Sequence, residues 1–251
     1  MSAAVTTRFW RHGLVLLIVI GSLVLLSTRQ PFGQDPRYHD FADRRVFLGV
    51  PNFSDVASNV PFLVVGVAGL WLCLRNRFAG TAAAWTVFFA GVALVGVGSA
   101  YYHWQPRNDT LVWDRLPMTI GFMAMFVALL SESIDEKLGR LLLAPALLVG
   151  SSSVLYWHLF DDLRFYAWVQ FIPLLTIPVV MALFRSRYSH QPLLLLALGF
   201  YVLAKMSEAY DREIFAFTGR AVGGHAVKHL LAAACCFVIL QMLRRRRAVQ
   251  T

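Results

Sequence analysis

The stretch TAAAWTVFFAGVALVGVGSAYYHWQPRNDTLVWDRLPMTIGFMAMFVALLS, residues 81–131, decides the architecture. Two apolar runs of helical length flank a short polar hairpin, and their hydrophobic residues come in continuous blocks, not in period-two alternation. Blocks of that length cross a hydrocarbon core of about 30 Å as helices, so the stretch reads as two membrane spans joined by a turn. Ser99, His103 and Asp114 stand around that turn. Ionisable groups at the end of a membrane span are costly there, and a function is their default explanation.

The rest of the chain repeats the pattern. Of 251 residues, 58% are hydrophobic and 15% charged, against about 25% charged in a soluble domain. Apolar segments fall at 11–27, 56–74, 82–103, 116–131, 140–158, 168–184, 192–210 and 224–243. This is the pattern of an all-α integral membrane protein, a seven-transmembrane-helix core with one additional N-terminal helix. The expected division is an anchor helix over 1–30, an extracytoplasmic segment over 31–55, the core over 56–243 and a basic cytoplasmic tail over 244–251. Arg8 and Arg11 precede the first segment as in a signal peptide. LLSTRQPFG after it offers no clear small-x-small cleavage site, which favours a retained anchor.

The net charge of +9 is concentrated in part in Arg244 to Arg247. A basic stop after a membrane helix reads as topology and lipid contact, not nucleic-acid binding. The same rule puts both termini on the cytoplasmic side, with the ends of the third and eighth segments that carry histidines near the extracytoplasmic face. Short loops and compact length lean towards a bacterial inner membrane. Cys73, Cys235 and Cys236 all lie in apolar segments, with no spacing for a disulfide framework or a metal finger. Trp71, Trp85, Trp104, Trp113, Trp157 and Trp168 sit near segment ends and read as an interfacial belt.

Ser99 and His103 are four residues apart, on one helical face. The last segment opens with GGHAVKHLLAAA, where His225 and His229 are again four apart, and both segments present these groups at the same end. Three imidazoles and a water make an open tetrahedral zinc site, and zinc lowers the pKa of its water to about 7. Each signal alone has an ordinary explanation. An HxxxH pair can hydrogen-bond to headgroups, Ser99 can be a small packing residue, and Asp114 can cap a helix. Their shared depth favours the metal site. Lys205 and Glu208 are placed to pair or to line a cavity, and Lys228 to meet a lipid headgroup.

GSAYYH (98–103), WDRLPM (113–118), HAVKH (225–229) and YHDFADRRVFLGVPNFSDVASN (38–59) together resemble the alkaline ceramidases, within the CREST superfamily of membrane hydrolases. The resemblance spans roughly residues 38–243. It implies that His103, His225 and His229 hold zinc. It implies that Asp114 orients a water and moves its proton, and that Ser99 donates to the oxyanion. It further implies calcium at Asp40, Asp43 and Asn52, although Arg44 and Arg45 beside them depart from the pattern and a solvated interfacial loop is the alternative. The implied reaction is hydrolysis of the amide bond of ceramide or a related N-acyl lipid, with that lipid and the bilayer as partners and no nucleic acid. The alternative is a non-catalytic relative, similar to the adiponectin-receptor-like seven-helix proteins, with a structural zinc. A coupled transporter fits poorly, because no repeated halves are visible. Oligomeric state is left open.

Overall fold

A computed structural model describes residues 3–76 and 81–249. Residues 1–2, 77–80 and the last two residues of the tail lie outside them. Among the described residues there is no β-strand, and the helices are α1 (Ala3–Ser27), α2 (Phe53–Ala57), α3 (Val60–Arg75), α4 (Ala82–Trp104), α5 (Asn108–Ser133), α6 (Lys137–Phe160), α7 (Arg164–Leu183), α8 (Leu193–Ala209), α9 (Asp211–Phe217) and α10 (Gly224–Arg245). Seven spans are long and apolar enough to cross a membrane, with α2 and α3 together forming one; α8 with α9 makes an eighth, bent by 83°. The chain is an all-α membrane protein. Leu16, Leu17 and Ile20 of α1, Leu141 and Leu148 of α6, and Leu195 and Leu196 of α8 are exposed. An apolar exterior of this kind suits hydrocarbon.

Packing ranks the helices. α5 is the most enclosed span, held between α4, α6 and α7, while α10 lies against α8 and α3. α1 stands outside and touches the bundle mainly along α7.

Two glycines set the close approaches. A Cβ on Gly98 would fall 2.0 Å from the carbonyl oxygen of Trp113, so α4 and α5 meet backbone to backbone beside Ser99 and Asp114. A Cβ on Gly224 would fall 2.3 Å from the Ser207 carbonyl oxygen, which fixes the start of α10 against α8. Only hydrogen fits at either position.

Several boundaries differ from the sequence expectation. α5 begins at Asn108, eight residues before the apolar run, because Thr110 ties down its first turn by accepting the Arg107 N–H and donating to the Gln105 carbonyl. Asp114 therefore stands well inside the helix and is no N-cap. The seventh segment ends at Tyr210 as expected, and there the chain turns sharply into α9.

The aromatic belt is also revised. Trp71, Trp104 and Trp113 are exposed, but Trp85 and Trp157 are buried in the interior. At the far end from the histidines, the Glu132 carboxylate accepts from Trp85 Nε1 (2.6 Å) and from Arg246. Arg246 stacks on Tyr188 at 4.4 Å. One arginine of the tail is thus built into the fold and does not lie on a lipid surface.

Candidate metal centre

His103 comes from the last turn of α4, and His225 and His229 from the first two turns of α10. All three are buried, and their ring centroids form a near-equilateral triangle of 4.8, 4.8 and 4.9 Å. One nitrogen from each ring lies within 4.8 Å of the others. Neither nitrogen of His103 has a hydrogen-bond partner among the described residues. An unsatisfied buried polar atom costs about 1–3 kcal/mol, and a cation at the centre of the triangle would remove that cost for one of the two nitrogens. The donor set, three imidazoles, suits zinc. The Ser58 hydroxyl is 2.8 Å from His229 Nδ1 and fixes that ring's orientation.

Asp114 and Ser99 are both buried. Both residues, with His229, line a cavity of about 260 Å³ that runs between the helices to Met125, Leu174 and Ile239. Cys235 and Cys236 also face it. The cavity wall carries more charge than the sequence suggested. Glu208 bridges two lysines, accepting from Lys228 at 2.6 Å and from Lys205, and Tyr38 Oη donates to it at 3.1 Å. Lys228 stands 3.2 Å from His225 Nε2 and is largely buried in this network on the cavity wall.

The segment before α2 closes this end of the bundle. The Phe41 ring packs at 4.7 Å on His103 and 4.6 Å on His225, forming an apolar wall over the triangle. His39 bridges Tyr102 Oη (2.9 Å) and Asn108 Oδ1 (3.0 Å). The residues suggested for calcium have other partners. Asp43 accepts from Arg45 and from Ser54 Oγ, Asp40 is paired with Arg44 and Arg212, and Asn52 Nδ2 donates to the His103 carbonyl at 2.8 Å. Calcium takes six to eight oxygens. Two carboxylates already engaged by guanidinium groups do not fit it as they stand. The Arg45 bonds also hold the Asp43 carboxyl below the usual carboxylate range.

Asp211 is a residue that sequence patterns did not reveal. From α9 its Oδ1 accepts the His225 backbone N–H at 2.8 Å, and its Oδ2 accepts the Ala42 N–H at 2.8 Å. One carboxylate thus caps α10 at its metal-site end and clamps the Phe41 segment over it. Its partners lie 14 and 169 residues away, so no local cap pattern marks it. Ser58 escapes for the same reason.

The sequence model of the ceramidase family matches residues 48–251 of this chain. No curated protein matches it significantly.

Proposed function

Because the chain belongs to the ceramidase family, we propose that it is a zinc-dependent intramembrane amidohydrolase that cleaves the amide bond of ceramide or a related N-acyl lipid. The observation that carries this is the junction of the histidine triangle with a largely apolar cavity, where Ser99, Asp114 and His229 share one wall. The cavity suits an acyl chain. An amide at its polar end would lie beside His229, one corner of the triangle.

Zinc held by His103, His225 and His229 would supply Lewis acidity, polarising a carbonyl oxygen and making water ionisable near neutral pH. Asp114 takes one proton from the attacking water and delivers it to the nitrogen as the C–N bond breaks. Ser99 donates a hydrogen bond to the carbonyl oxygen as negative charge develops on it. Water adds its oxygen to the acyl carbon, and a fatty acid and a long-chain base leave. Ser99 as the nucleophile would need a free base beside it, and His103 is committed to the triangle. Phe41 and the apolar cavity wall exclude bulk water, which strengthens each of these interactions. By the arginine-rich tail, the reaction centre faces away from the cytoplasm.

The test is a mass-spectrometric assay of the purified, zinc-loaded protein on ceramide and other N-acyl lipids. Equimolar fatty acid and base are expected, and Asp114→Ala should reduce turnover by about 10²–10⁴ with the melting temperature kept. Stoichiometric zinc with no amide hydrolysis, and a large fall in melting temperature on chelation, would support a purely structural metal instead.

A further inference from the structure

Arg115 follows Asp114 on α5 and has no part in the steps above. It is 5% exposed and lines the same cavity. Its guanidinium lies 4.0 Å from the Trp157 ring centroid and 4.6 Å from that of Tyr166. Its Nη2 donates to Gln34 Oε1. Nε and Nη1 are buried and have no hydrogen-bond partner among the described residues. The aromatic faces offset part of the desolvation of the cation. They leave two N–H-bearing nitrogens without acceptors.

Charge points the same way. Arg115, Lys205 and Lys228 line the cavity against Asp114 and Glu208, and Glu208 already bridges both lysines. Three cations against two carboxylates, inside apolar walls, favour an anionic occupant. Asp114 and Arg115 line the same cavity, so an anion on the guanidinium shares it with whatever Asp114 acts on.

We propose that Arg115 anchors an anionic headgroup, and that the cavity takes N-acyl lipids with a carboxylate or phosphate close to the amide in preference to neutral ones. This rests on the amide-lipid reading above. The same oxygens could come from the carboxylate of the released fatty acid, and the experiment separates the two sources.

Binding of N-palmitoylglycine, N-palmitoylethanolamine and palmitate to the zinc-loaded protein is measured by calorimetry in one detergent, with hydrolysis of the first two followed in parallel. The conjugates share the acyl chain and the amide and differ in headgroup charge. The wild type should bind the glycine conjugate about tenfold more tightly. Arg115→Gln should erase that ratio, and Arg115→Lys should keep part of it. Equal affinity of the wild type for the two conjugates overturns the proposal without any variant. So does a ratio unchanged in Arg115→Gln, the result expected if the arginine only props the Trp157–Tyr166 stack. An Arg115-dependent preference confined to palmitate assigns the anchor to the product and also overturns it. A preference without hydrolysis of either conjugate leaves the anchor standing and removes the hydrolase reading.

Discussion

Ser58 shows how much of the centre depends on residues that would not touch a metal. Its hydroxyl lies 2.8 Å from His229 Nδ1, and it also donates to the Asp55 carbonyl within α2. With the hydroxyl removed, the ring can turn about its χ2 and lose its aim. Ser58→Ala is expected to weaken zinc binding by about 10- to 100-fold with little change in fold, as read by competition against a calibrated chelator. Glu208 is the charged counterpart. It holds Lys228 beside His225, so Glu208→Leu leaves a buried ammonium uncompensated and should destabilise the protein by about 3–5 kcal/mol. Chemical denaturation in detergent measures that loss. A stable Glu208→Leu protein would mean that Lys228 finds another partner or reaches water.

Helix positions follow from contacts too close to admit a methyl group. The Gly98 contact is to a carbonyl oxygen, which cannot move aside as a flexible side chain can. Gly98→Ala should therefore push α4 from α5, part Ser99 from Asp114 and cost about 1–3 kcal/mol. Gly199 in α8 is the control, since nothing lies within 4 Å of an added Cβ there. Ala at that position gains helix propensity and should be neutral or slightly stabilising. Paired melting curves and turnover of the two variants check both expectations. The break between α8 and α9 belongs to the same scale. It turns the chain by 83° and brings Asp211 round to the start of α10.

For the molecule as a whole, the segment before α2 fastens the site end. Asp43 is depressed below the ordinary carboxylate range, first by the Arg45 hydrogen bonds and also by Ser54. A carboxylate depressed in the folded state adds stability that is present above its unfolded value of about 3.9 and is lost as pH falls through the folded value. The segment should hold from neutral pH to about 4 and loosen below. Arg45→Ala should flatten that acid limb, as seen by hydrogen exchange of residues 38–52 between pH 6 and 3. Because Arg45 also donates to the Ala221 carbonyl at 2.7 Å, it links this segment to the approach of α10 with a tethered cation. Adding or chelating calcium should leave the wild-type melting temperature unchanged. Removing zinc should lower it, because the buried His103 ring would again lack any partner among the described residues.

The sequence by itself determined the membrane class, the order of the spans and the pairing of HxxxH with the Ser99–His103 face. These rest on local period and on length, which a linear chain displays in full. Lys205 with Glu208 was legible for the same reason, as an i, i+3 pair. Only the tertiary structure decided that α5 starts early enough to place Asp114 within a helix. It also decided that Trp157 and Tyr166 enclose Arg115, that Lys228 turns inward, and that Arg45 and Arg212 take the carboxylates suggested for calcium. Most of those outcomes join groups from elements far apart in the chain or depend on which face a helix turns inward; the Asp43–Arg45 pair and the Thr110 turn are the local exceptions. Such partners are selected by packing and desolvation, and neither leaves a mark on neighbouring residues.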